Sequence, residues 1–148
     1  MKFVRPVRPR IVLDTNVLVS GVIVTHGPSA LILDAVRDGH LHLVVSPALL
    51  DEFEEVISRP RITRKYPALL ERLDPLLEFL YTMTILVPGV PSQPFVPDDP
   101  DDDWIVACAL EGKANFIVSG DAHLHTLGKV HGVRVVTPRQ FVHDILPP

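Results

Sequence analysis

Short apolar runs separated by helical segments place the strongest constraint on how this chain folds. The runs have the length and the β-branched content of buried strands, and they cover residues 10–13, 41–45, 84–87, 116–119 and 133–136. More than a dozen residues separate each run from the next, which is the length that a crossover between parallel strands needs. The pattern therefore predicts an α/β fold with three layers, α/β/α, around a mainly parallel five-stranded sheet.

Cap residues and prolines define the predicted helices between these strands. Ser29 and Ser46 are suitable N-caps, Pro47 suits a first helical position, and Pro75 is expected to kink or restart the helix that contains it. We predict helices over residues 16–22, 29–37, 47–57, 67–81 and 104–111, and a last one from Thr137.

Length and composition favour one packed domain. The 148 residues, 47% of them hydrophobic, suffice for a single domain over residues 1–148, in which residues 1–9 are expected to be loosely ordered. The single cysteine, Cys108, excludes an internal disulfide and a cysteine zinc cluster, and it suggests a cytoplasmic protein. No apolar stretch predicts a signal peptide or membrane span.

The net charge of −4 argues against a protein that grips nucleic acid mainly through a basic surface. It leaves open an enzyme that meets phosphate groups through bound divalent cations, because such an enzyme needs acidic ligands at its centre.

Four acidic residues are expected to converge at the carboxyl edge of the sheet. Asp14 and Asp121 come at the ends of predicted strands, Asp102 lies at a helix N-terminus, and Glu52 is in the second turn of a helix. Ligands of open α/β sheets bind at this edge. Because carboxylates in a partly dry cleft repel one another, cations are expected to neutralise them, and hard oxygen ligands favour Mg²⁺ or Mn²⁺.

Each acid also has a purely structural interpretation. Asp102 is a plausible helix N-cap, and Asp121 is a plausible turn residue. Glu52 lies among other acids on what can be a solvated helix face. Asp14 is harder to explain in this way, because a carboxylate that ends an apolar strand needs a partner.

Four segments of the sequence resemble the PIN-domain family, in particular the toxin component of bacterial toxin-antitoxin systems (VapC-like ribonucleases). They are IVLDTNVLVSG (residues 11–21), SPALLDEFEEVISRPR (46–61), DPDDDWIVACALEGKANFIVSGD (99–121) and VVTPRQF (135–141). The resemblance covers nearly the whole chain. It implies a metal-dependent endoribonuclease that uses Mg²⁺ or Mn²⁺, and products with 5′-phosphate and 3′-hydroxyl ends.

The resemblance also assigns roles to single residues. Asp14 and Asp102 are expected to be direct metal ligands, whereas Glu52 and Asp121 complete the metal-binding and catalytic set. Asp103 competes with Asp102 for the third acidic position.

Three further polar residues are assigned by the same resemblance. Asp99 is expected to support the site from an outer shell. Asn16 and Ser119 are similar to family residues that position the metal site or the scissile phosphate.

The sequence gives weaker indications of the substrate and of partner proteins. A basic stretch is a candidate RNA contact, although it also fits a solvated turn; it consists of Arg59, Arg61, Arg64 and Lys65. A single-stranded or looped RNA suits a narrow acidic cleft. A toxin role would bring an antitoxin protein as partner and a possible homodimer.

Two alternatives to this enzyme remain, a PIN-like module that binds RNA or protein without catalysis and another Mg²⁺ enzyme on a similar sheet. The segment Asp14-Thr15-Asn16 lacks the clustered acids that the second would use. His123 and His125 are weak evidence for zinc, because no third ligand of suitable spacing accompanies them.

Overall fold

A computed structural model describes residues 8–97 and 99–147. The predicted loose segment 1–9 therefore lies mostly outside the described residues, as does Asp98 of the acidic run. The described elements are β1 (Arg10–Leu13), α1 (Thr15–Ile23), α2 (Pro28–Arg37), β2 (His42–Val45), α3 (Pro47–Ile57), α4 (Pro60–Thr63), α5 (Leu69–Thr82), β3 (Ile85–Leu86), a 3₁₀ turn (Pro100–Asp102), α6 (Asp103–Glu111), β4 (Phe116–Val118), α7 (Ala122–Leu127), β5 (Lys129–Val130), β6 (Val133–Val136) and α8 (Pro138–Asp144).

The strands form one sheet in the order β3-β2-β1-β4-β6-β5. All neighbours are parallel except β5 and β6, which form an antiparallel pair. The α/β class and the mainly parallel sheet are confirmed, but the expected number of five strands was wrong, because the described residues already form a sheet of six. The additional strand, β5, has only two residues, too few for a hydrophobic period to be visible.

Alternating side chains of the strands supply two separate cores, one on each face of the sheet. Ile11 and Leu13 of β1 pack into the core that holds α1, α2, α3 and α5, whereas Val12 between them packs into the core that holds α6. In β2, Leu43 and Val44 divide between the two cores in the same way. Since a strand alternates its side chains between faces, helices cover both sides and the three-layer architecture is confirmed.

Helix boundaries agree with the sequence where a cap is present. Ser46 caps α3 by accepting a hydrogen bond from the Leu49 N–H, and Thr137 caps α8. The predicted cap Ser29 was wrong, because α2 begins at Pro28 after Gly27. Helix α5 continues through Pro75 instead of restarting there.

Within the described part of the chain, no single helix is long and apolar enough to cross a membrane. Helices α1 and α2 reach that length and composition only as a pair, and they are bent by 88° relative to each other.

Gly112, at the end of α6, lies directly against β2. A Cβ atom there would overlap Cγ1 of the buried Val44 and lie 3.2 Å from the Cys108 carbonyl oxygen. Gly112→Ala is therefore expected to lower the free energy of unfolding by about 1–3 kcal/mol, the usual effect of overpacking, as measured by urea denaturation. Gly120→Ala is the matched control, because nothing lies within 4 Å of its added Cβ. Equal losses in both variants would contradict this explanation.

Candidate active site

The β1 and β4 strands bring the first and last predicted acids to one edge of the sheet. Leu13 pairs with Val118 in register, and the Asp14 N–H donates to the Val118 carbonyl at 3.0 Å. Asp14 therefore lies beside the segment that leads from β4 to Asp121, at the carboxyl ends of both strands.

Ser119 connects these two acids. Its hydroxyl donates to Oδ2 of Asp14 at 2.7 Å and accepts from the Asp121 N–H at 2.9 Å. The side chain is completely buried. Ser119 thus fixes the Asp14 carboxylate and the position of the Asp121 backbone, and its expected contact with a phosphate stays a prediction.

Asp102 presents a carboxylate oxygen that the protein leaves without a partner. The residue is only 7% exposed, and its Oδ2 has no hydrogen-bond partner among the described residues. The pKa of Asp102 is raised to about 7, chiefly by burial and further by the negative charges of Asp121, Asp99 and Asp14. A nearby charge on His123 acts in the opposite direction on the pKa. A buried, unpartnered oxygen of this kind is costly unless something binds it.

Two further acids lie close to the Asp102 carboxylate. One ligand oxygen each from Asp99, Asp102 and Asp121 lies within 4.8 Å of the others. All are carboxylate oxygens, which is the donor set that a hard cation such as Mg²⁺ or Mn²⁺ prefers. We call Asp99, Asp102 and Asp121 the three-acid group.

Asp14 belongs to the electrostatic environment of this group. Burial raises its pKa, the Ser119 hydrogen bond lowers it, and the charge of Asp121 raises it further. The Asp14 charge in turn raises the pKa of Asp102. Because neighbouring negative charges oppose the ionisation of Asp14 and Asp102, a cation that bound among the acids would relieve the repulsion.

Asp99 enters the three-acid group through the 3₁₀ turn. It precedes Pro100 and caps the turn by accepting a hydrogen bond from the Asp101 N–H. The turn brings the chain back, so that a carboxylate oxygen of Asp99 lies within 4.8 Å of one of Asp102. Sequence reasoning placed Asp99 only in an outer shell; the signal for its closer position is the aspartate cap followed by proline.

Asp121 has a second, structural task. One carboxylate oxygen accepts hydrogen bonds from the His123 and Leu124 N–H groups and so caps α7. Asp121 is therefore both a capping residue of the turn and a member of the three-acid group.

Glu52 lies next to Asp14 rather than within the three-acid group. Its side chain is exposed, and Oε2 accepts a hydrogen bond from the Thr15 hydroxyl at 2.9 Å. Thr15 directly follows Asp14, so this bond ties α3 to the end of β1. A role of Glu52 in metal binding stays a prediction.

The Asp103 carboxylate, unlike that of Asp102, accepts hydrogen bonds from the backbone. It is 8% exposed, and its Oδ1 accepts from the N–H groups of Phe95 and Val96 at 2.8 and 2.7 Å. The carboxylate thus holds the proline-rich connection (residues 88–100) against the start of α6. Asp103 is not in the three-acid group, which favours Asp102 as the third acid.

The remaining predicted site residues lie at the surface. Asn16 is exposed in the first turn of α1. Arg59 forms an ion pair with Glu55 at 2.9 Å, and the rest of the basic stretch lies on or after α4, beyond the C-terminal end of α3. The structure does not bring this stretch into the three-acid group, so its contact with RNA stays a prediction.

Neither histidine that follows Asp121 belongs to the three-acid group. His125 is half-buried and donates through Nε2 to the Ser119 carbonyl, while His123 is exposed. The bond to His125 supports the segment that carries Ser119.

Open α/β proteins with a mainly parallel sheet bind their ligands beyond the carboxyl ends of the strands, and the acids of this chain lie at that edge. Residues 10–123 match the PIN domain family, and the chain belongs to that family. PIN domains have a nuclease-type fold, and the buried acids of this chain are compatible with metal binding. An uncharacterized protein of Methanocaldococcus jannaschii is 28% identical over 153 residues, which cover 97% of this chain and 96% of that protein.

Proposed function

We propose that this protein is a metal-dependent endoribonuclease that hydrolyses RNA phosphodiester bonds. The observation that carries the proposal is the buried Asp102 carboxylate, whose Oδ2 lacks a partner while Asp99 and Asp121 lie within ligand distance. Such a group is expected where a divalent cation completes the structure.

We assign the acids different roles according to their contacts. Asp99, Asp102 and Asp121 would hold Mg²⁺ or Mn²⁺, and Asp14, oriented by Ser119, would complete the set from the end of β1. A bound cation supplies Lewis-acid activation of water and offsets the charge that develops on the phosphate. Glu52, held by Thr15, would orient water or substrate beside Asp14.

RNA as the substrate, rather than another phosphodiester, rests on the resemblance to the toxin branch of the family. A bacterial toxin role, a cytoplasmic location, an antitoxin partner and a homodimer belong to the same proposal. Copurification with a neighbouring gene's product and sedimentation of the purified chain test the partner and the dimer.

The central test compares the wild type with Asp14→Asn on structured and unstructured RNA, with Mg²⁺, Mn²⁺ or EDTA. We expect wild-type cleavage that EDTA abolishes. The variant should be slower by more than about a hundredfold, since loss of partners that merely orient a metal ligand already costs 10- to 100-fold. Denaturing gels of end-labelled RNA measure both effects.

Asp34→Asn is the matched control for this test. Asp34 is an exposed acid on α2 that lies 3.9 Å from Arg37, so the same change of carboxylate to amide should leave cleavage unchanged. Equal cleavage by the wild type and Asp14→Asn would refute the proposed mechanism. Metal-independent RNA binding with no cleavage would instead identify a non-catalytic module.

A further inference from the structure

A small cleft lies beside residues that flank Asp102 in the sequence, and it contains the chain's one tryptophan. Its volume is about 280 Å³, and it is lined by Ala48, Leu49, Glu52, Asp101 and Trp104. Ligand pockets for whole small molecules begin at about 300 Å³, so this cleft suits a smaller planar group.

The position of Trp104 is hard to explain by packing alone. It is the second residue of α6, and the three residues that follow it are buried, whereas Trp104 is 37% exposed. A large aromatic side chain on a buried helix, open to a cleft, is a surface on which a flat ring can stack.

The charge of the cleft determines which part of a nucleic acid fits. Glu52 and Asp101 add negative charge to its walls, so a phosphate is repelled there unless a cation accompanies it. Ala48, Leu49 and the tryptophan ring supply an apolar surface. An uncharged, planar group with polar edges satisfies both conditions, and a nucleobase is such a group.

The chain itself ties this cleft to the site of the proposed reaction. Asp101 lines the cleft and directly precedes Asp102, and Trp104 follows two residues later. Consecutive Cα atoms lie about 3.8 Å apart, so the Cα atoms of Asp102 and Trp104 are separated by at most about 7.6 Å, and the cleft is close to a proposed metal ligand.

We propose that Trp104 is a substrate-positioning residue that stacks on an unpaired nucleobase next to the scissile phosphate. The inference rests on the proposed function and deepens it, because it makes a single-stranded segment the substrate. Bases in a duplex already stack on their neighbours, whereas an unpaired base is free to stack on an aromatic side chain.

Kinetics provide the first test. Stacking on an aromatic side chain is lost in Trp104→Ala, which should raise KM for a short single-stranded RNA by roughly 5- to 150-fold. The value of kcat should change little, because the stack exists equally in the ground and transition states. Trp104→Phe should restore most of the affinity. Tyr81→Ala, which removes another exposed aromatic ring, should leave KM unchanged.

Fluorescence provides a second, direct readout, because the chain contains a single tryptophan. The titration uses Asp14→Asn protein, in which cleavage is expected to be lost, and a short mixed-sequence single-stranded RNA. We expect the RNA to quench the emission, whereas an abasic oligoribonucleotide of equal length should quench little.

The outcomes separate this inference from the proposed function. Wild-type cleavage with an unchanged KM in Trp104→Ala, or equal quenching by the abasic strand, overturns the stacking role and leaves the nuclease intact. Quenching by RNA without cleavage by the wild type supports stacking and refutes the nuclease. If Trp104→Ala instead dissociates a dimer in sedimentation, the ring belongs to a protein interface and the inference fails.

Discussion

Asp102→Asn is expected to raise the melting temperature of the metal-free protein at pH 8 and to abolish its stabilisation by Mn²⁺. The reason is that burial and three neighbouring acids oppose ionisation of the wild-type carboxyl group. At pH 8 the wild type must carry this buried charge, whereas asparagine is neutral and has similar volume. The melting temperature, measured with EDTA or Mn²⁺, reports both effects.

The pH dependence of stability follows from the same carboxyl group. Its pKa rises from an ordinary value of 3.8 to about 7 in the folded protein. Between these values the folded state binds more protons than the unfolded state, so stability falls as the pH rises through this range. The metal-free wild type should therefore lose stability from pH 4 to 7 more steeply than Asp102→Asn.

A cation that binds only the folded state reverses this loss, because ligand binding stabilises by mass action. Asp101→Asn is the matched control, since Asp101 lies in the same turn but is exposed. It should keep the pH profile and the Mn²⁺ response of the wild type. If Asp102→Asn kept a full Mn²⁺ response, the three-acid group would not be the cation site.

The Asp102→Asn substitution should not remove the whole pH dependence of stability, because Asp14 contributes to it as well. Its pKa is also raised by burial and by the charge of Asp121. Part of the repulsion between the acids therefore persists in Asp102→Asn. A residual decrease of stability above about pH 4 should remain in Asp102→Asn, and it should be smaller in the variant that also carries Asp14→Asn.

The elements that the sequence predicted well carry their own local signals. Strand β1 has the predicted bounds, and α3 begins after the predicted Ser46 cap and ends at the predicted residue. A β-branched apolar run and a cap followed by proline need no distant contact to be recognised. For the same reason Asp14, which directly follows β1, could be placed at the sheet edge.

Short elements escaped prediction because they depend on tertiary contacts. Helices α4 and α7 have four and six residues, which is too short for a helical period to show. Strand β5 exists because it pairs with β6. These elements gain their stability from the surrounding structure rather than from propensity.

The candidate site was only partly predictable because its acids arrive on loops. The proline-rich connection determines where Asp99 lies, and no periodic pattern describes its path. The choice between Asp102 and Asp103 is a matter of one residue, yet consecutive residues at the start of a helix point about 100° apart. What distinguishes them in the structure is that backbone N–H groups occupy Asp103 and leave Asp102 free.

Asp103→Ala should have the opposite effect from Asp102→Asn, a large loss of stability. Oδ1 of Asp103 accepts from the N–H groups of Phe95 and Val96, and alanine leaves both without this partner. Each buried donor left unpaired costs about 1–3 kcal/mol. Urea denaturation measures the loss.

The matched control for this substitution is Asp103→Asn. Its side-chain oxygen can accept both hydrogen bonds, because the aspartate uses a single oxygen for the pair. Most of the stability should therefore return, even though the charge is gone.

Proteolysis can distinguish local release of the proline-rich connection from unfolding of the whole protein. The connection over residues 88–100 contains no lysine or arginine but does contain Phe95, so chymotrypsin can cut it and trypsin cannot. In Asp103→Ala, chymotryptic cleavage at Phe95 should accelerate while tryptic cleavage elsewhere changes less. An unchanged chymotryptic rate would mean that the carboxylate of Asp103 does not hold the connection. The cation site would then have to be shaped by the 3₁₀ turn alone.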